Sequence, residues 1–170
     1  MPIVQVRNAS LQQLNGVDQL NIDEHNFGAA WYDSVGGTSF LGATTVPLAT
    51  ERYNSAPSIF SMTANILTLL EAGLYLLSFA ATGANPGSAE MIAAMTLDED
   101  PATGIFASIP GVISYDTWFN GSGTMSNTAL VIANINYRYR LSVSRIGGSA
   151  TPTLVQNASH LSAVRLFKNG

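Results

Sequence analysis

The chain has 170 residues, enough for one domain with a short extension, and it is 46% hydrophobic, 11% charged and formally −4. Charge so far below the roughly 25% usual in soluble domains leaves a surface that is neutral-polar or covered by other chains. No basic stripe supports nucleic-acid binding, the absence of cysteine rules out disulfides, thiol catalysis and cysteine-type zinc, and the longest apolar runs fall far short of the roughly 20 residues that span a bilayer.

The start, Met1-Pro2-Ile3-Val4-Gln5-Val6-Arg7, lacks a basic region followed by an apolar run and a small-residue cleavage site, so no signal peptide is expected. Ile3 to Val6 can pair as a strand, and Leu11-Gln12-Gln13-Leu14 is a brief helical turn at most. Residues 27–33 read as a strand with Trp31 and Tyr32 as anchors, broken by Gly36-Gly37; residues 44–50 suit an edge or a bulge because of Pro47. Residues 1–55 as a whole are less regular than the rest.

From Ser58 the pattern is that of short strands punctuated by Gly, Pro, Asn and Asp, which indicates an all-β sandwich or jelly roll over residues 56–170. Residues 59–69 are one or two strands. In Gly73-Leu74-Tyr75-Leu76-Leu77-Ser78-Phe79, the residues Tyr75, Leu77 and Phe79 point one way, while Leu74, Leu76 and Ser78 point the other. A strand apolar on both faces needs a second partner, and in an antiparallel protein that partner is often another subunit. Residues 82–88 read as a loop, 90–97 as a strand with Met91, Ala93, Met95 and Leu97 on one face, and 102–125 as a long connection with strand pieces. A second two-sided strand spans 128–135. Residues 137–145 alternate Tyr137, Tyr139, Leu141 and Val143 with Arg138, Arg140, Ser142 and Ser144, and residues 160–167 close the chain.

Few constellations suggest chemistry. Asp98-Glu99-Asp100 could hold a hard cation such as calcium, but a solvated turn is the preferred reading. Asp18, Asp23, Glu24 and His25 match no metal spacing. The only histidines are His25 and His160; His160 neighbours Ser159 and Ser162, but adjacency along a strand is not triad geometry, so an enzyme is not expected. The glycine pairs follow no strand-to-helix pattern that would cradle phosphate. Three Asn-x-Ser sites, at Asn8, Asn120 and Asn157, are expected to be idle. Trp31, Tyr32, Tyr115, Trp118 and Phe119 are either an exposed patch for a sugar or a protein, or loop anchors; Arg138 and Arg140 are expected to solvate their face.

The Gly-x-Tyr strand at Gly73-Leu74-Tyr75, the strands at 128–135 and 137–145, and the short closing strand Ser159-His160-Leu161-Ser162-Ala163-Val164-Arg165-Leu166-Phe167 together resemble the jelly roll of the tumour-necrosis-factor and complement globular-head superfamily. The resemblance covers roughly the last two thirds of the chain. It departs at Asn136-Tyr137, where the family often has Gly-Asp, at Ser162, where glycine is common, and in lacking cysteine. It implies an antiparallel two-sheet sandwich assembling as a homotrimer, with one sheet facing the threefold axis. On that basis Leu74, Leu76 and Ser78 are expected at the trimer interface, and Tyr75, Leu77 and Phe79 in the sandwich core.

Phages use jelly rolls of this kind outside their capsids, so the function expected by analogy is a virion structural protein. It would be a trimeric decoration (cement) protein, made in the host cytoplasm and located on the capsid surface, with itself and the major capsid protein as partners. Neither nucleic acid, membrane nor cofactor is expected to take part. Ile3, Val4, Val6 and Arg7 are the expected capsid contacts, within a possible capsid-binding arm at 1–55. The alternative is a trimeric receptor- or glycan-binding head of a phage fibre or bacterial surface protein.

Overall fold

The computed structural model describes residues 28–87 and 89–168. The expected capsid contacts Ile3, Val4, Val6 and Arg7, the helical turn at 11–14 and the acidic group around His25 lie outside the described residues. The strands among the described residues are β1 (Gly28–Asp33), β2 (Thr44–Thr45), β3 (Thr50–Asn54), β4 (Phe60–Thr63), β5 (Ile66–Leu69), β6 (Gly73–Asn85), β7 (Met91–Asp100), β8 (Ala107–Trp118), β9 (Gly121–Ala133), β10 (Tyr137–Gly148), β11 (Thr153–Leu154) and β12 (His160–Lys168).

They form two six-stranded antiparallel sheets. In the first, β9 lies beside β6, β6 pairs β12 and, at its far end, β11; then come β1 and β3. In the second the order is β4, β5, β10, β7, β8, with β2 continuing the β5 position along β10. The chain crosses between the sheets repeatedly, from β5 to β6, from β6 to β7, from β8 to β9 and from β9 to β10, which is jelly-roll winding. Among the described residues no helix is long and apolar enough to cross a membrane.

Period-two alternation aims one side of each long strand at the space between the sheets. Tyr75, Leu77 and Phe79 of β6 are fully buried there with Met91, Ala93, Met95 and Leu97 of β7, Val131 and Ala133 of β9, Tyr139, Leu141 and Val143 of β10, and Leu161 and Ala163 of β12. Short turns connect these strands. Ala64 and Asn65 both take positive φ, 50° and 65°, and so make the two-residue hairpin that joins β4 to β5 with the twist that hairpins favour.

Several sequence expectations are corrected. The break at 55/56 falls inside the sandwich: β1 pairs β12 residue by residue, so residues from Gly28 onward are part of it. The loop expected at 82–88 is largely strand. Thr82, Gly83, Ala84 and Asn85 continue β6 opposite β9, and the Thr82 and Thr124 hydroxyls meet at 2.8 Å. The connection expected at 102–125 is mostly the β8–β9 hairpin; Pro110 and Gly111 hide β8 from a pattern search, yet its backbone pairs β7. Asp98, Glu99 and Asp100 lie within β7 rather than in a turn.

Candidate functional site: the outer face of the first sheet

Two faces of the sandwich point to solvent, and they differ in chemistry. Along β7 and β10 the outer face of the second sheet is polar and internally paired, while β8 adds exposed Ile113 and Tyr115 at its edge. Register places Arg138 opposite Asp100 and Arg140 opposite Asp98. Arg138 forms a salt bridge with Asp100, whose carboxylate also accepts from the Thr103 backbone N–H at 2.7 Å and from that of Gly104. Asp98 accepts from Arg140 Nε at 3.0 Å, Ser142 at 2.7 Å, Ser108 at 2.9 Å and Thr96 at 3.1 Å. Burial opposes ionisation of both carboxyls, but these donors outweigh it and hold both below the ordinary range. Both guanidiniums also lie over the Phe106 ring, at 5.4 and 4.4 Å.

The two arginines are therefore bound by this chain's own carboxylates rather than left to solvate the face. Those carboxylates are buried and satisfied, so neither a calcium site nor a solvated turn describes them. Among the described residues no group of three or more His, Asp or Glu side chains could hold a metal ion.

The outer face of the first sheet is apolar toward one end. Cross-strand partners give its rows. Ile132, Leu74 and Phe167 form one; Leu130, Leu76, Val164 and Ala29 the next; Thr128, Ser78, Ser162, Trp31 and Tyr53 the third. Ile132 is 73% exposed, Leu130 62% and Leu76 38%, and Trp31, Tyr53, Val164 and Phe167 are exposed as well. Leu74 and Ser78 are half-buried on the same face. Further along, the rows turn polar through Ser126, His160, Thr82 and Thr124. Leu130, Ile132, Val164 and Phe167 were not singled out from sequence; their strand periodicity, alternating with buried Ala129, Val131 and Ala163, was the signal available.

At the β1 edge this face carries a polar cluster. Asp33 accepts from Trp31 Nε1 at 2.6 Å and from Arg52 Nε at 2.6 Å, the latter an ion pair. The Trp31 and His160 rings stack tilted, with centroids 5.0 Å apart. Burial lowers the His160 pKa, and the Asp33 charge opposes that shift. The serines flanking His160 are engaged elsewhere. Ser159 Oγ accepts from the Thr82 N–H at 3.0 Å, and Ser162 Oγ donates to the Ser78 carbonyl at 3.1 Å. Nothing in this geometry aligns a serine on the imidazole for nucleophilic chemistry.

The aromatic residues divide between core and surface. Tyr32 and Trp118 are buried core residues, whereas Trp31, Tyr115 and Phe119 are exposed. Burial and the nearby Glu51 carboxylate push the Tyr32 hydroxyl up to about 12. Tyr32 and Glu51 also line a pocket of about 310 Å3 together with Leu48, Met62 and Asn65.

No protein-family model matches the chain, and no curated protein matches it. Solved structures do match. Murine APRIL at pH 5.0 superposes with a TM-score of 0.60 at 12% identity, covering 82% of this chain and 99% of that one. The Eiger TNF of S. frugiperda gives 0.62 at 13% identity, covering 85% and 96%. The fold is the tumour-necrosis-factor-like jelly roll. The globular domain of a zebrafish complement 1qA protein, with a TM-score of 0.55 at 11% identity over 85% of this chain and 98% of that one, has the same jelly roll. At these identities the likeness speaks for the architecture alone.

Proposed function

We propose that this chain is a structural module that self-associates through the outer face of its first sheet into a homotrimer. The observation that carries this reading is the contiguous apolar surface formed by Leu74, Leu76, Leu130, Ile132, Val164 and Phe167 on adjacent strands. Single exposed apolar residues are normal, but a contiguous patch on a sheet marks an interaction site. Fully burying one such side chain contributes about 1.5–3 kcal/mol relative to full exposure, so the half-exposed ones here each offer roughly half of that. The number three comes from the resemblance to the tumour-necrosis-factor jelly roll. Light scattering on the eluting peak tests it: a mass three times that of the 17.9 kDa chain is expected. A monomer at micromolar concentration would sink the reading.

For the trimer's role we propose decoration of a tailed-phage capsid, bridging neighbouring subunits of the major capsid protein from outside. Low surface charge and a single lysine suit a protein that is largely covered by other chains. Analogy with phage jelly rolls supports the capsid as the partner. Ile3, Val4, Val6 and Arg7 remain the proposed contact stretch. Co-sedimentation with capsid shells from the same genome tests this: binding is expected for the full chain and should be lost on deleting residues 1–15. Exposed Tyr115, Phe119 and Ile113 on or beside β8 favour a second reading, a receptor- or glycan-binding head. In that case Tyr115→Ala and Phe119→Ala would abolish host-cell or glycan binding, and shells would not be bound.

A further inference from the structure

His160 stands on the same outer face as the apolar rows, opposite Ala80 of β6 and Asp33 of β1. Few charged groups surround it. From β1 it faces Asp33; beyond Asp33 on β3 lie Thr50, its register partner, and Arg52, which pairs with Asp33. From β6 it meets Ser78, Ala80 and Thr82, from β9 beyond them Thr124, Ser126 and Thr128, and from its own strand Ser162, none of which titrates. Both Asp33 oxygens are committed, one to the Trp31 indole and the other to Arg52. The Asp33–Arg52 pair carries no net charge, so a proton on His160 adds a positive charge with no free counter-ion among the described residues. The ring is already half-buried against Trp31 in the single chain.

We propose that association through this face is gated by protonation of His160, so that the assembly holds at neutral pH and loosens in mild acid. This rests on the reading of that face as the self-association surface. A second copy laid over the face removes the water that still solvates the imidazolium, which costs far more for the charged ring than for the neutral one. His160 and His25 are the only histidines, and there is no cysteine, so only these two side chains ordinarily titrate between pH 5 and 8. By linkage, each pH unit below the imidazole's pKa weakens association by up to about tenfold per protomer, or about a thousandfold for three copies.

The experiment is sedimentation or light scattering of the purified full chain at pH 8.0 and 5.5, with far-UV circular dichroism at both. Wild type should be trimeric at pH 8.0 and shift to smaller species at pH 5.5 with its β-structure intact. His25→Gln should behave in the same way, and His160→Gln should stay assembled at pH 5.5. An assembly equally tight at both pH values, or a His160→Gln protein that dissociates as wild type does, overturns the proposal while leaving self-association standing. A wild-type monomer at pH 8.0 overturns the self-association reading itself and this inference with it. If His160→Gln does not fold, titration of the His160 imidazole by NMR at low and high protein concentration decides instead. A lower pKa in the assembled sample is expected, and equal values overturn the proposal.

Discussion

Leu76 and Leu130 are partners across β6 and β9, and both point away from the core. Their neighbours in the chain, Leu77 and Val131, face inward at 0% and 8% exposure. On the proposed reading, one strand pair separates folding from association, residue by residue. Leu130→Lys should leave the fold within about 0.5 kcal/mol of wild type, as for an exposed position. It should raise the dissociation constant of the trimer at least tenfold, read by light scattering across a dilution series. Val131→Lys, one residue away, puts an unpaired charge in the core and should cost more than about 3 kcal/mol in urea unfolding. Equal effects of the two substitutions on association and stability would contradict this division.

Trp118 lies against two glycines that are themselves partners across the first sheet, Gly83 and Gly123. A Cβ on Gly123 would sit 1.9 Å from Trp118 Nε1, and one on Gly83 would sit 2.4 Å from the far edge of the indole. Neither glycine has a left-handed φ, so space is what demands the missing side chain. Gly123→Ala must displace a buried indole whose N–H donates to Asp116 at 2.5 Å and which meets Phe40 edge-on. Loss at or above the upper end of about 1–3 kcal/mol is expected, with a red shift in tryptophan fluorescence. Gly121→Ala on the same strand meets only the Phe119 carbonyl, at 3.3 Å, and should cost clearly less than Gly123→Ala.

The contrast between β6 and β8 shows what local pattern can and cannot reveal. Tyr75, Leu77 and Phe79 alternate without interruption against a second apolar set, so both the strand and the direction of its faces are legible locally. In β8, Pro110 and Gly111 interrupt a run whose apolar positions are few, and its pairing with β7 supplies the missing information. The same holds for charge. Arg138 and Asp100 are 38 positions apart, and only the β7–β10 register makes them partners. The candidate interface was half legible. Leu74 and Leu76 stood out on a strand apolar on both sides, whereas the contributions of Val164 and Phe167 depend on which strands adjoin β6.

Arg165 is a cation on the core side of β12, 1% exposed, held by Glu71, whose side chain also meets Lys168 at 3.3 Å and is a third exposed. The Arg165 hydrogen bond is the largest influence holding the Glu71 carboxyl below its usual range. The two ends of this pair are unequal. Glu71→Gln takes the carboxylate from a guanidinium that cannot reach bulk water and leaves it with its other contacts, the Tyr75 hydroxyl among them. Breaking a fully buried pair costs about 3–5 kcal/mol. Partial exposure of Glu71 reduces that to about 2–4 kcal/mol by chemical denaturation. Arg165→Met removes the buried charge itself and leaves a carboxylate that water and Lys168 can satisfy. Its cost, which includes the lost contact with the Tyr75 hydroxyl, should be the smaller of the two. A larger loss for Arg165→Met than for Glu71→Gln would refute this ordering.

Acid should unfold the single chain through its paired carboxyls. Asp98, Asp100 and Glu71 all have folded pKa values below their usual ones. The unfolded chain therefore takes up protons first as pH falls, and the stability these groups contribute is present above the unfolded carboxyl range near pH 4. It is lost progressively as pH drops below that range, through the folded values. At protein concentrations low enough to keep the chain monomeric, urea midpoints should fall modestly between pH 7 and about 5, because burial lowers the His160 pKa, and decline steeply below about 4. Asp98→Asn removes one of these titrations, although it also disturbs the Arg140 and Ser142 contacts. Its stability should accordingly be lower than wild type at pH 7, with the gap narrowing toward pH 3. A gap that stays constant with pH would show that Asp98 contributes by packing alone, without preferential ionisation in the folded chain.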